Sequence, residues 1–289
     1  CSVIPVSSVV KLYFPFWVHG FRKAFGIAER RCMDHHAFPF TKICTLLLLF
    51  VSAVVTPAQS ADDLFRQGRA LDEKHQNKEA LVVLLEADKR EPHQAETLRL
   101  IAKQYTQLIQ EADSNNEKRR LGQQALDFAQ EAAGLAPDSA ETHLTLAIVY
   151  GRVAQNASTR RKVELSKKIH EEAALAAQID PQLDYAWHIL GRWNYELANT
   201  HPVLRTLAQA LYGKFPQASN DLAVVYFQKA AAINPRNVIH HLELGRAYLA
   251  LGENAKAKNE LQLGLSLPSV EKDDEESKQR ARQALRGLD

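Results

Sequence analysis

Residues 61–92 read ADDLFRQGRALDEKHQNKEALVVLLEADKREP, and the spacing of their small and bulky residues decides the fold. The residues at positions 8, 11, 20, 24, 27 and 32 of this stretch are Gly68, Leu71, Ala80, Leu84, Ala87 and Pro92. The small residue at position 8 lets a first helix approach a second one, and the bulky residues fill the seam between them. The proline at position 32 ends the second helix. The stretch therefore predicts a helical hairpin.

The same pattern recurs along the rest of the chain, in units that begin near Ala95, Ala140, Asp184 and Val238. The second, third and fourth units contain insertions, whereas the first and the fifth have none. This pattern is that of the tetratricopeptide repeat, in which stacked hairpins bury a continuous core that no single unit could bury. We therefore predict an all-α, right-handed superhelical solenoid of about five tetratricopeptide-like hairpins, closed by a C-terminal capping helix within residues 273–288.

A secretory leader is predicted in front of the first repeat. Residues 41–61, TKICTLLLLFVSAVVTPAQSA, place a base before an apolar run at 43–55 and a small-residue end after it. Ala58 and Ser60 fit the two small-residue positions of a signal-peptidase site before Ala61. The run is short for a membrane span, and it is typical of a signal peptide.

The leader divides the chain into three parts. We expect an upstream segment at 1–32 ahead of the natural start at Met33, a signal peptide at 33–60 and the repeat domain at 61–289. The alternative is a membrane anchor that is retained at 43–58. The leader predicts an exported protein, in a bacterial periplasm in particular, whereas the alternative predicts a membrane-anchored or mitochondrial one.

Cysteine and charge exclude several classes of site from the repeat domain. All three cysteines lie within residues 1–60, so residues 61–289 hold no disulfide, thiolate zinc site or cysteine nucleophile. Residues 1–60 also contain six of the 36 Lys and Arg residues and two of the 34 Asp and Glu residues, which leaves 30 bases and 32 acids for the repeat domain. This balance lacks the positive surface that nucleic acid requires, so we expect no nucleic-acid partner.

The segment WHILGRWNYE (187–196) concentrates residues that could carry chemistry. Trp187 and Gly191 take positions 4 and 8 of a first helix, so most of the segment is predicted to be core packing. His188 lies two helical turns before Glu196, and a histidine base oriented by a carboxylate is a weaker, enzymatic alternative.

Other catalytic and metal-binding patterns are absent from the sequence. The chain contains no HExxH, GxSxG, P-loop or GxGxxG string. The adjacent His240 and His241 point to different faces of a helix, so they do not form a pair of ligands for one metal ion. We therefore predict no enzymatic activity, no cofactor and no metal.

One pattern favours a binding surface. Position 9 of the first helix holds a base in four of the five units, and in such solenoids this position faces the concave groove. A column of bases could bind an extended partner that is acidic, or the C-terminal carboxylate of a peptide, although the bases could equally serve only to hydrate the helices. With the neighbouring aromatic positions, the predicted partner-binding residues are Arg69, Lys103, Tyr185, His188, Arg192, Tyr195 and Arg246.

Several strings extend beyond the generic repeat. They are AWHILGRWNYELA (186–198), LAQALYGKFPQAS (207–219), HHLELGRAYLALG (240–252) and LSLPSVEKDDEE (265–276). With these strings the chain resembles the regulator of microtubule dynamics family. The resemblance implies a helical, non-enzymatic adaptor, whose eukaryotic members are linked to microtubules, mitochondria or the endoplasmic reticulum, and it supplies no catalytic residues. We therefore predict an exported scaffold that binds a partner peptide in a concave groove, or alternatively a membrane- or organelle-associated adaptor of this family's type.

Overall fold

The computed structural model describes residues 59–200, 217–271 and 273–288. These residues form eleven α-helices and contain no strand, which confirms the predicted all-α fold class. The upstream segment, most of the predicted leader and the greater part of the insertion in the fourth unit lie outside the described residues. The helices are α1 (Ala61–Asp72), α2 (Asn77–Arg90), α3 (Ala95–Glu111), α4 (Asn115–Leu135), α5 (Ala140–Gln155), α6 (Thr159–Ile179), α7 (Asp184–Ala198), α8 (Asn220–Ile233), α9 (Val238–Ala250), α10 (Asn254–Ser266) and α11 (Asp274–Arg286).

The helices pair into successive hairpins, α1–α2 through α9–α10, and α11 packs on α9 and α10. Each second helix also contacts the first helix of the next hairpin. Consecutive first helices contact one another, whereas no pair of second helices does so to a comparable extent within the described residues. The first helices therefore lie on the inner side of the stack, as a helical solenoid requires.

Local signals in the sequence explain where the helices begin and end. A serine precedes five of the helices, and its hydroxyl accepts a hydrogen bond from the backbone N–H three residues later. Such a cap typically stabilises a helix by about 1 kcal/mol. Four helices end two residues before a proline, which cannot continue them. The serines are Ser60, Ser114, Ser139, Ser158 and Ser219, and the prolines are Pro92, Pro137, Pro181 and Pro235.

The residue at position 8 is smaller where the residue that faces it, at position 24, is larger. Position 24, counted back from the proline at position 32 in the first four units and forward from Val238 in the fifth, holds a bulky residue wherever position 8 is glycine. A Cβ added to Gly191 would lie 2.8 Å from the ring of Phe227, and one added to Gly68 would lie 2.6 Å from Leu84. Where position 24 is alanine, position 8 is alanine as well. The pairs are Gly68/Leu84, Ala102/Ala129, Ala147/Ala173, Gly191/Phe227 and Gly245/Leu261.

Candidate functional site

The candidate site is the inner face, which we define as the surface formed by the first helices α1, α3, α5, α7 and α9. Ion pairs link neighbouring helices on this face. Lys103 Nζ of α3 lies 2.8 Å from Asp72 Oδ2 of α1, and Arg246 Nη2 of α9 lies 3.0 Å from Glu196 Oε1 of α7. Position 9 of successive units thus points to the same side of the stack.

The four bases at position 9 differ in their charge partners. Lys103 and Arg246 are neutralised by the acids of neighbouring helices. Arg69 and Arg192 are exposed, and neither makes an ion pair within the described residues. Two of the four predicted bases therefore lack an ion-pair partner in the part of the chain that the structure describes. The role of these residues in partner binding stays a prediction.

Arg246 is held in place from several sides. Its guanidinium lies 4.2 Å from the centre of the Tyr195 ring, which is a cation–π contact. Arg246 Nη1 also lies 3.0 Å from Glu243 Oε2 on the same helix. Burial opposes the charged form, but the carboxylates of Glu243 and Glu196 outweigh it and raise the pKa of Arg246. Tyr195 and Arg246 thus form one fixed cluster on the inner face.

The structure places His188 inside the protein, where it is 3 % exposed. Its Nδ1 lies 3.1 Å from Nδ1 of His240, and Nε2 of His240 lies 2.9 Å from Asp184 Oδ2. Burial, followed by the neighbouring His240, lowers the pKa of His188 well below its ordinary value. The side chain is therefore a neutral core residue, and it is not open to a ligand on the inner face.

Tyr185, another predicted partner-binding residue, covers this histidine pair. Its ring centre lies 5.7 Å from that of His188 and 5.3 Å from that of His240. Burial raises the pKa of Tyr185 to about 12, so the phenol stays protonated at neutral pH. Tyr185 is half-buried and remains partly accessible.

The structure does not bring the predicted catalytic pair together. His188 binds His240 in the core, whereas Glu196 is exposed and binds Arg246. A base must lie within hydrogen-bond reach of the carboxylate that orients it, and these two side chains have other partners. Among the described residues, no group of three or more His, Cys, Asp or Glu side chains could hold a metal ion.

Position 4 has a structural role that the sequence analysis did not identify. In three units a ring N–H at this position reaches the carbonyl of the proline that ends the preceding unit. His143 Nε2 lies 2.8 Å from the Pro137 oxygen, and Trp187 Nε1 lies 2.9 Å from the Pro181 oxygen. His241 Nε2 repeats the contact with Pro235 at 3.0 Å. These side chains join consecutive hairpins rather than bind a ligand.

The described sequence and fold agree with one family in particular. The family profile described as "Regulator of microtubule dynamics protein 1-3" matches residues 59–289, which is most of the chain. The chain belongs to the regulator of microtubule dynamics family. The resemblance seen in the sequence is thereby confirmed.

Individual members of the regulator of microtubule dynamics family are distant in sequence. Regulator of microtubule dynamics protein 3 of Xenopus laevis is 28 % identical over 178 residues, which are 61 % of this chain and 38 % of the relative. Protein 1 of Mus musculus is 25 % identical over 246 residues, which are 84 % of this chain and 80 % of the relative. Protein 2 of Homo sapiens aligns over 46 % of its own length, so the chain spans less than two thirds of several of these relatives.

A solved structure supports the fold of this family member. A thermophilic tetratricopeptide-repeat protein of Thermus thermophilus superposes with a TM-score of 0.56 at 18 % identity. The alignment covers 78 % of this chain and 99 % of that protein. The predicted tetratricopeptide-like solenoid is therefore confirmed. None of the described helices is long and apolar enough to cross a membrane.

One base of the inner face was missed in the sequence. Position 9 of the third unit is Ile148, which interrupts the column. Arg152 follows one helical turn later on α5, and residues at this spacing share a helix face. Burial lowers the pKa of Arg152, and the positive charge of Arg192 adds to this effect. Helical spacing could have identified Arg152, since it needs no tertiary information.

Proposed function

We propose that this chain is a non-enzymatic interaction scaffold whose inner face binds an extended segment of a partner protein. The observation that carries the proposal is the exposed Arg192, which has no ion pair within the described residues and lies on α7, the first helix between those of Arg152 and Arg246. A guanidinium without a protein partner is a ready donor for carboxylate or backbone oxygens of a bound chain. The tetratricopeptide-like fold supports this function, because such solenoids present one continuous inner surface.

The test is capture of protein partners from extract of the source cells by the immobilised full chain. Arg192→Glu reverses an exposed charge on the inner face, and Lys162→Glu makes the same charge reversal at an exposed position of α6. We expect Arg192→Glu to reduce capture at least fivefold and Lys162→Glu to leave it unchanged. Raising the salt concentration should weaken capture by the parent chain. Equal capture by both variants would refute the proposal.

The non-enzymatic part of the proposal is supported by the separation of the two candidate catalytic side chains. His188 is buried beside His240, and Glu196 is engaged by Arg246. An enzymatic role would require a measured turnover that is lost in His188→Gln and Glu196→Gln while the helical content is retained. A turnover that depends on both residues would contradict the proposal.

A second candidate function is an adaptor of the regulator of microtubule dynamics type. Membership of the family over residues 59–289 favours it. The names of the relatives make microtubules a reasonable partner to test, by co-sedimentation of the full chain with assembled tubulin. Binding that is absent at every tubulin concentration up to tens of micromolar would count against this function.

The location of the protein separates the two candidates. Cleavage before Ala61 would export the repeat domain, as the small residues Ala58 and Ser60 suggest. A retained segment at 43–58 would anchor it instead. Mass spectrometry of the N-terminus of the protein from its native cells decides between them. A chain that begins at Ala61 supports export, and one that retains Met33 supports anchoring.

A further inference from the structure

The acidic turn that precedes α11 contacts a distant part of the inner face. We call residues 269–274 the acidic turn, of which the structure describes all but residue 272. Gln110 Nε2, near the end of α3, donates a hydrogen bond to Asp273 Oδ2 at 3.2 Å. Because Gln110 belongs to the second hairpin and Asp273 follows the fifth, this contact spans the inner side of the stack.

Electrostatic effects connect the same turn with two further first helices. Burial lowers the pKa of Arg152 on α5, and the carboxylate of Asp273 opposes this effect. The negative charges of Glu271 and Asp274 add to the effect of burial that raises the pKa of Tyr185 on α7. The acidic turn therefore contacts α3 through Gln110, and its carboxylates act electrostatically on Arg152 of α5 and Tyr185 of α7.

The shape of the turn is maintained by its own residues. Asp274 is 3 % exposed, and its Oδ2 accepts hydrogen bonds from the backbone N–H groups of Val270 and Glu271, each at 2.9 Å. Lys278 Nζ on α11 donates to the Leu267 oxygen at 2.5 Å. By contrast, Asp273 is exposed and has no side-chain bond that caps α11. Its carboxylate is thus free to exchange its contact with Gln110 for solvent.

We propose that Gln110, Arg152 and Arg192 form a carboxylate-binding site on the inner face, that Asp273 engages this site through Gln110 in the free chain, and that an acidic side chain of a partner segment replaces Asp273 on binding. A carboxylate accepts charge-assisted hydrogen bonds from guanidinium groups, which are stronger than bonds between neutral groups. Arg152 supplies the base that Ile148 does not, and Arg192, on the next first helix, has no acid of its own within the described ranges. The proposal rests on the proposed function, because it assumes that a partner segment lies on the inner face.

The probe for this site is a fluorescein-labelled, C-terminally amidated peptide PSVEKDDE, copied from residues 268–275. Its binding to the full chain is measured by fluorescence anisotropy at low salt. We expect Asp273→Asn to strengthen binding at least threefold, because the internal competitor is weakened. Asp221→Asn makes the same substitution at the exposed start of α8 and should change nothing.

The same anisotropy assay tests whether the two arginines bind the peptide. Arg192→Gln and Arg152→Gln should each weaken binding at least fivefold. Because Arg152 is partly buried, the melting temperature of Arg152→Gln is compared with that of the parent chain. If Arg152→Gln fails to fold, Arg192→Gln still tests the site, since Arg192 is exposed. A peptide with a free C-terminus should bind like the amidated one, since side-chain carboxylates are recognised. The amidated peptide PSVQKNNQ, in which all four acids are replaced by amides, should not bind.

Two results would overturn the inference. One is an affinity for PSVEKDDE that Asp273→Asn leaves unchanged, and the other is binding that survives both arginine substitutions. If partner capture still depends on Arg192 in either case, the scaffold function stands and only the carboxylate site fails. If capture no longer depends on Arg192, the proposed function fails with it.

Discussion

The third and fourth hairpins, α5–α6 and α7–α8, pack their two helices against each other with different residues at the point where the helices cross. At position 8, the third hairpin has Ala147 opposite Ala173, whereas the fourth has Gly191 opposite Phe227. Both arrangements are buried. The comparison teaches that a bulky residue at position 24 requires glycine at position 8, whereas an alanine there leaves room for a second alanine, as close packing demands.

Position 4 extends the comparison. His143 in the third hairpin also binds Glu172, with 2.7 Å between Nδ1 and Oε2. Trp187 in the fourth hairpin stacks on Tyr226 instead, with ring centres 5.8 Å apart. Both rings nevertheless donate to a proline carbonyl. The ring N–H is therefore the shared requirement, and the second partner can be charged or aromatic.

The largest effect is expected from Phe227→Ala in the fourth hairpin. Phe227 is fully buried, so its removal leaves a cavity, and we expect a loss of about 3–5 kcal/mol in the free energy of unfolding. Ala173→Gly at the matched place in the third hairpin removes one methyl group and should cost about 1 kcal/mol. Denaturant unfolding of the full chain measures both. Equal losses would contradict the role of Phe227 as the bulky member of its pair.

Gly191→Ala should cost about 1–3 kcal/mol, because the added Cβ would lie 2.8 Å from the Phe227 ring. In the Phe227→Ala background the same substitution should cost nothing, since the pair then copies Ala147 and Ala173. A double-mutant cycle measures this coupling. Identical costs in the two backgrounds would show that the glycine serves another purpose.

Trp187→Phe should cost about 1 kcal/mol, because the Pro181 carbonyl loses its donor while most of the ring contact with Tyr226 is retained. The double variant Trp187→His with Tyr226→Glu copies the third hairpin and should regain part of the loss. Thermal unfolding monitored by circular dichroism compares the two. A double variant no more stable than Trp187→Phe would argue against the interchange of the two arrangements.

The smallest effect concerns pH and the fifth hairpin, which uses a histidine and a glutamate as the third does. The bond with Glu260 raises the pKa of His241 above its ordinary value of 6.5, although burial opposes it. The resulting stability is fully present below pH 6.5 and is lost as the pH rises through the raised pKa. Glu260→Gln should abolish this dependence and cost less than about 1 kcal/mol below pH 6.5, because Glu260 is partly exposed.

Unfolding of the parent chain and the Glu260→Gln variant at pH 5.5 and 8.5 tests this prediction. Glu172→Gln at the matched place in the third hairpin serves as the control for loss of a histidine–glutamate bond. A Glu260→Gln variant that loses stability only at pH 8.5 would reverse the predicted sign.

Several features of the fold could be predicted because they depend on neighbours in the chain. Gly191 falls at position 8 by counting from the start of its unit, and its burial follows from helical periodicity. The prolines mark helix ends without reference to the rest of the protein. Arg152 could have been added by the same reasoning, since it lies one turn beyond Ile148.

The candidate site could be predicted only in part, because charge pairing and burial depend on other helices. Arg192 and Arg246 occupy equivalent positions, yet Arg246 is neutralised by Glu196 and Arg192 has no such partner among the described residues. His188 looks like a surface base in the sequence, but it lies in the core against His240. Helical periodicity assigns a face to a residue, but it does not say what packs against that face.

The sequence by itself determined the helical hairpins, their order and their ends, because propensity, capping and the spacing of small and bulky residues act within one unit. Only the tertiary structure decided which bases stay unpaired, where His188 is buried and where the acidic turn lies. The partners of these groups stand far away in the chain, as Gln110 and Asp273 do. Whether such distant groups come into contact depends on how successive hairpins stack, and the stacking geometry is set by all the hairpin–hairpin interfaces together.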